Sequence, residues 1–483
     1  MTFEPVIGLE VHVQLKTASK LFCRCSTLFG AEPNSQICPI CAGHPGVLPL
    51  LNEQAVTLLV RAALALGCKI TPHSVFSRKQ YFYPDLPKAY QISQYDLPLA
   101  IGGHLDISAL NHTPKTIRIH RIHLEEDAGK LLHAIGAREL DYSLVDLNRA
   151  GVPLAECVSE PDLSSPEEAY EYLTQLKAVL QYLEVSDCDM EKGSLRCDAN
   201  ISLRPVGHKT LGTKAEIKNL NSFKAVKEAL HYEIKRQMEV LNTQGRIVQE
   251  TRLWDEARGI TASMRSKEEA HDYRYFPEPD LVPIELDEAF LSPIRAALPE
   301  LPAQKKNRFM TAYGLSDYDA NVLIGDKALA QYYEAAMAKV SPEAAKPLCN
   351  WVTTELMGQL NASSKTIQES PVSPEHLAEL VSLIQKGTIS GKMAKDVFGE
   401  MFETGAAPEK IVQAKGLVQV GDETTIAQWC EEAIAENPKA VQEYKGGKST
   451  AIGSLVGVVM KKSQKRANPQ LVNQILQKKL ADK

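Results

Sequence analysis

Four stretches of the chain alternate an apolar residue with a strongly polar one, and a period of two marks a strand with one buried face. Ile7, Leu9, Val11, Val13 and Leu15 alternate with Glu10, His12 and Gln14. Leu195, Cys197, Ala199, Ile201 and Leu203 do so with Arg196, Asp198, Asn200 and Ser202, and Ala215 and Ile217 with Lys214, Glu216 and Lys218. The run from Ile117 to Glu126 alternates too, slips register near His120 and Arg121 as a bulge would make it, then delivers His123 and Glu125 to one face. A sheet wet on one side always carries some charge. Asp and Asn are poor strand formers, however, and finding them mid-strand beside Glu and His points to a face selected for ligands. Glu10, Glu125, Asp198 and Glu216 gathered on one sheet repel unless a cation sits among them, and such oxygen-rich sites suit Mg²⁺. Interleaved Lys and Arg suit phosphate oxygens. The implied chemistry is magnesium-assisted phosphoryl transfer.

At 483 residues the chain is too long for one core and is expected to form two to four domains. The start carries neither a basic segment nor an apolar one of signal-peptide type, and no apolar run reaches the length of a membrane span. The expected location is therefore cytoplasmic, with the ten cysteines as thiols or metal ligands. The net charge of −6 conceals an asymmetry: ten Lys and Arg against two acidic residues after Pro438 make the tail +8 and the remainder −14. A basic terminal module on an acidic body suits a grip on nucleic acid, while a helical domain with solvated lysines gives the same count.

Up to about Leu291 strands mix with a few long helices, one capped at Ser165-Pro166 and another running from Phe223 to Leu241. The spacing predicts an α+β region with a largely antiparallel sheet. Neither the dinucleotide-binding nor the P-loop glycine pattern occurs. After Leu291 the strands stop. Pro293, Pro299 and Pro302 mark a linker, and Ser341-Pro342-Glu343 and Ser373-Pro374-Glu375 read as helix starts. A joint near Gly405 leads to a basic tail of short amphipathic helices interrupted between Lys461 and Asn468.

Cys23 and Cys25 followed by Cys38 and Cys41 give C-x-C-x₁₂-C-x₂-C, two thiolate pairs flanking a turn-rich loop. Four sulfur ligands make a closed, structural Zn²⁺ site. No cysteine or serine stands in a nucleophile setting, so ammonia, if consumed, comes from another chain. The segment from Arg78 to Lys88 mixes cations with aromatics, a composition suited to phosphate and a stacked base as well as to an anchored surface loop.

These residues, together with 6–12, 146–154, 193–200, 214–221, 273–279 and 467–470, closely resemble the B-subunit family of the bacterial aspartyl/glutamyl-tRNA(Asn/Gln) amidotransferases, over nearly the whole chain. The resemblance implies a cradle related to glutamine synthetase and guanido kinases over 1–292, with a zinc knuckle at 23–41. A helical domain (293–405) and a basic helical tail of the YqeY type (406–483) that binds tRNA follow. It also implies ATP-dependent phosphorylation of the side-chain carboxylate of Glu or Asp misacylated on tRNA. Ammonia from the amidase, or A, subunit then displaces phosphate, and a small C subunit completes a heterotrimer. Residue by residue, Glu10, His12, Glu125 and Glu216 match its catalytic, Mg²⁺-binding positions. Lys79, Lys88 and Arg149 are expected at phosphate, with Asp198 and Asn200 behind the metal. Residues Ala155-Glu156-Cys157 are smaller than the pattern leads one to expect. The alternative is a stand-alone ATP-dependent ligase or kinase of a small carboxylate or guanidino compound; a non-catalytic RNA-binding scaffold is a third reading. The basic tail counts against the former and the acidic face against the latter.

Overall fold

A computed structural model describes residues 2–108, 114–136, 138–266, 273–417, 422–446, 449–463 and 467–481. The chain divides into two compact units, Met1–Pro302 and Ala303–Lys483. The first unit is α+β, built on a ten-stranded sheet; the elements of the second, among the described residues, are helical.

The strands that matter are β1 (Phe3–Gln14), β2 (Pro114–Glu126), β3 (Pro153–Ser159), β4 (Leu195–Pro205), β5 (Ala215–Leu220), β6 (Glu250–Asp255) and β7 (Ile260–Ser266). They lie in the order β7-β6-β5-β4-β1-β3-β2, and the short Ala100–Ile101 and Lys69–Ile70 strands extend the β2 edge. Every pairing is antiparallel except that of β5 with β6, which helix α3 (Phe223–Asn242) connects as a crossover. The register slip expected in β2 is present, between Arg121 and Ile119 opposite β3.

One face carries the alternating apolar residues, including Ile7, Leu9, Val11, Ile122, Leu124, Ala155, Cys157, Ala199, Ile201 and Ile217, all buried. Helices α1 (Glu53–Ala65), α2 (Pro166–Tyr182) and α3 contribute to the same core. Each is capped as its sequence dictates: the side-chain oxygens of Asn52, Ser165 and Ser222 accept from the backbone N–H groups of Gln54, Glu168 and Ala225. With one face covered, the other is left to the polar set.

Pro293 departs from the linker expected of it, standing inside the helix Glu288–Ala296. Asp287 caps that helix, and a proline in so short an element removes one backbone bond without having a long helix to break. The second unit holds two separate hydrophobic clusters. One gathers Phe309, Tyr333, Leu348, Leu377, Val397 and Met401, and also Ile411 and Val412 beyond Gly405. The other gathers Ile426, Cys430, Leu455, Val459, Val472 and Leu476. Ser373 caps the helix Pro374–Gln385, and Gly405 ends Gly391–Thr404 at a φ of 70°, a left-handed conformation that glycine adopts without strain. Among the described residues no helix is long and apolar enough to cross a membrane.

Candidate functional site

The polar face is set out by strand register. One row across β1, β3 and β2 aligns His12 with Glu156 and Glu156 with His123; the next aligns Gln14, Leu154 and Glu125. His12 Nε2 lies 3.6 Å from both Glu125 Oε1 and Glu156 Oε2. His123 Nε2 lies 3.2 Å from Glu156 Oε2 and 3.7 Å from Glu125 Oε2, which also accepts from Ser93 Oγ at 3.0 Å. Two carboxylates and two imidazoles thus share a pocket that is nearly sealed, with His123 2% and Glu125 3% exposed. Burial opposes charge on His12, yet Glu156, then Glu125 and Asp198, outweigh it and raise its pKa to about 9. Burial works against the Glu156 carboxylate too, and His123 and His12 hold it well below the usual range.

The expected convergence of Glu10, His12, Glu125 and Glu216 is divided here. His12, Glu125 and Glu156 offer ligand atoms within 4.8 Å of one another, a set fit for a divalent cation. Glu10 and Glu216 stand outside that group. Glu10 is one same-face step along β1 from His12, about 7 Å of strand rise away, and accepts from Asn200 Nδ2 at 2.9 Å. Glu216 is two strands from β1 and accepts from Thr251 Oγ1 at 2.9 Å. Lys218 Nζ reaches Asp198 at 2.6 Å and Glu216 at 3.5 Å, so this half carries its own cation.

The residues expected at phosphate have protein partners. Lys88 pairs with Glu126 and lies over Tyr90. Arg149 donates to the Ala128 carbonyl at 3.0 Å and stands 3.6 Å from Asp127. Asp127 also accepts from Arg196 and from Gln14, both at 2.9 Å. Lys79 Nζ sits 4.9 Å from the centre of the Tyr273 ring; burial opposes its charge, and Tyr275, Glu125 and Glu156 outweigh burial to raise its pKa. A cleft of about 210 Å³ opens beside Glu10, lined by Gly8, Val158, Asn200 and Lys214.

The sequence reading missed Glu156. Its signal was a lone carboxylate within Pro153-Leu154-Ala155-Glu156-Cys157-Val158, otherwise apolar, where an unpartnered charge is too costly to be incidental.

The four thiols also converge, with ligand atoms within 4.8 Å of one another and Cys41 Sγ 3.9 Å from Cys38 Sγ and 4.0 Å from Cys25 Sγ. Tetrahedral zinc thiolates need sulfurs about 3.8 Å apart. Cys41 is drawn down to about 4 by the hydrogen bond from Cys23, against burial, and further by the Cys38 backbone and by Lys20. Lys20 is fully buried, its Nζ 3.4 Å from Cys41 Sγ and 3.2 Å from the Leu147 carbonyl. Were the four to hold Zn²⁺ as thiolates, they would leave a net negative charge for that ammonium to balance. The same knuckle clasps the 145–151 segment. Asn34 Nδ2 donates to the Val145 carbonyl at 2.9 Å, Leu147 N–H donates to Asn34 Oδ1 at 2.8 Å, and Gly151 packs on Cys41 and Lys20.

A helix-backed sheet with this polar face and a four-thiol knuckle defines a catalytic domain of the GatB/GatE type, whose family model matches residues 5–292; a GatB domain model matches 331–480. The chain is 58% identical to the B subunit of the aspartyl/glutamyl-tRNA(Asn/Gln) amidotransferase of Carboxydothermus hydrogenoformans, over 99% of both chains. Its likeness to the proteins of the same name from Thermoanaerobacter pseudethanolicus (56%, all of both) and Persephonella marina (54%, 99% of this chain and all of the relative) is nearly as close. The chain belongs to the family of aspartyl/glutamyl-tRNA(Asn/Gln) amidotransferase B subunits.

Proposed function

We propose that this chain is the ligase component that amidates Glu-tRNA(Gln) or Asp-tRNA(Asn), activating the misacylated side-chain carboxylate with ATP. The observation that carries the reading is the buried pairing of His12 and His123 with Glu125 and Glu156 on one sheet face. A carboxylate is a poor acyl donor, and phosphorylation turns one of its oxygens into a good leaving group. The substrate carboxylate oxygen bonds to the γ-phosphorus as ADP departs; ammonia then bonds to the acyl carbon as phosphate departs. Mg²⁺, when bound, neutralises the charge that gathers on the transferred phosphoryl oxygens. His12, Glu125 and Glu156 would hold one such ion, with Glu10 and Glu216 facing the nucleotide side. Lys79, with Tyr273 and Tyr275 beside it, supplies fixed positive charge at the edge of the same pocket.

The cradle is read as a glutamine synthetase and guanido kinase-like fold over 1–292, followed by a helical part to about 405 and a tRNA-binding tail from 406. Zinc in the knuckle keeps Cys23, Cys25, Cys38 and Cys41 as structural ligands. The amidase partner supplies ammonia, and a small third chain completes the assembly. In the tail, Lys462 is already paired with Glu432 and Glu436, leaving Lys461 as the phosphate contact of that pair. Lys465 and Arg466 lie outside the described residues.

Incubating the chain with its amidase partner, labelled ATP and misacylated tRNA, and then omitting each in turn, tests this. ADP and amidated tRNA should form only in the complete mixture. ATP turnover on a small carboxylate without tRNA would favour the stand-alone kinase instead.

A further inference from the structure

Arg121 occupies the β2 bulge on the polar face, in the row that runs through Val158 of β3 and Glu10 of β1 to Asp198 of β4. Its immediate cross-strand neighbours are Val158 and Ile101, whose side chains hold no hydrogen-bond acceptor. The Nε is sealed from solvent and has no hydrogen-bond partner, and no carboxylate among the described residues pairs with the guanidinium. What it does have is an aromatic wall. The guanidinium carbon lies 6.0 Å from the centre of the Tyr95 ring, and Tyr95 stacks on Tyr275 at 4.2 Å with the planes only 8° apart. On the same face His123 Nδ1 and Asn200 Oδ1 are also buried without partners. Buried polar atoms are mostly paired in folded proteins, and of the six such orphans among the described residues three gather on this one face, beside Glu125 and Glu156, which makes it the place open to a ligand.

We infer that Arg121 is a substrate-anchoring residue that binds an oxyanion of one of the two reactants. That oxyanion is either a phosphate oxygen of the nucleotide or the carboxylate of the aminoacyl group. This rests on the proposed carboxylate activation at the same face. The guanidinium offers a planar fork that matches either oxyanion through two parallel hydrogen bonds, with the Tyr95–Tyr275 pair on one side of it. The neighbouring arginines are already committed, Arg196 to Asp127 and Arg118 to Asp162, which leaves Arg121 as the guanidinium of β2 and β4 without an acid partner among the described residues.

The test uses the complete amidotransferase with its partner chains and compares wild type, Arg121→Met and Arg121→Lys. Removing an unpartnered donor does not cost stability, so the melting temperature of Arg121→Met should match or exceed that of wild type. Its kcat/KM for tRNA-dependent ATP hydrolysis and for amidation should fall by about 10- to 100-fold, the value of a charge-assisted hydrogen bond. Arg121→Lys should recover part of the loss. A rise in KM confined to ATP assigns the oxyanion to the nucleotide; one confined to misacylated tRNA assigns it to the aminoacyl carboxylate. Wild-type kinetics in both arms, or an activity loss accompanied by a fall in melting temperature, overturns the inference. If wild type itself shows no tRNA-dependent ATP hydrolysis, it is the reaction proposed for the face that fails, a result separate from any difference among the variants.

Discussion

The two halves of one sheet face balance their charge differently. Across β4 and β5 the acids Asp198 and Glu216 are bridged by Lys218, whose charge burial opposes and those two acids favour. Across β1, β3 and β2, Glu125 and Glu156 meet imidazoles, which these acids hold in the protonated form up to a pH of about 9 at His12 and which can yield that proton to a metal ion. A lysine bridge is a permanent neutraliser, whereas a histidine pair leaves the place open to a divalent cation. The second half is therefore the one fit for a divalent cation, while the first carries its own neutralising charge.

That contrast can be broken most sharply at Glu125. Glu125→Gln should lower tRNA-dependent ATP hydrolysis by about 10³-fold, as expected when an acid or metal-holding group at the reacting atoms is lost. Glutaminase activity of the partner should stay largely intact, and near-normal amidation would remove Glu125 from the site. Glu156→Gln is expected to cost about 10²-fold by the same assay. If it behaved like wild type, the pairing with His12 and His123 would be only structural. Removing zinc comes next. Elemental analysis should find one zinc per chain, and Cys41→Ser should lose it. Because the knuckle clasps the 145–151 segment that carries Arg149, amidation should drop by about 10-fold, the scale of lost support around a site. Retained metal in Cys41→Ser would refute the four-thiolate assignment. Lys218→Met should act on stability first, lowering the melting temperature by about 2–6 °C with only a few-fold effect on turnover, since Asp198 loses its cation. A large catalytic loss without destabilisation would erase the distinction between the halves. The smallest effect expected is in the tail. Lys461→Ala should weaken tRNA binding and reduce its salt slope by about one, the share of a single phosphate contact, and Lys462→Ala by less, because Glu432 and Glu436 hold that ammonium.

What could be read from the chain follows from which interactions are local. Period-two alternation gave β1, β4, β5 and the bulge in β2, a capping serine gave the start of α2 and helical spacing gave α3, because each depends on neighbours a few residues away. The thiol knuckle was legible for the same reason. Which carboxylates meet is a question of register between strands from separate parts of the chain, and spacing along one strand cannot answer it. Hence Glu10 and His12, adjacent on a face, take different partners, and Glu156 entered only through pairing with His12 and His123. Arg149 and Lys88 look like phosphate ligands by type, yet their partners Asp127 and Glu126 sit where β2 ends and its turn begins, which no motif announces.

The position of β1 also governs how the domain comes to exist. Its two neighbours in the sheet are residues 153–159 and 195–205, both far downstream of it in the chain. At ordinary synthesis speeds the later of the two follows β1 itself by roughly 10–40 s. Until they arrive, a strand with one apolar face and unpaired edges is carried by the nascent chain, and both of its pairings are of long sequence separation, the slow kind to form. No fragment that ends before β4 can hold the row from Glu10 to Asp198, so that half of the polar face is gained later than the His12, Glu125 and Glu156 group. Such a chain should depend on chaperone shelter far more than its finished, well-covered core suggests.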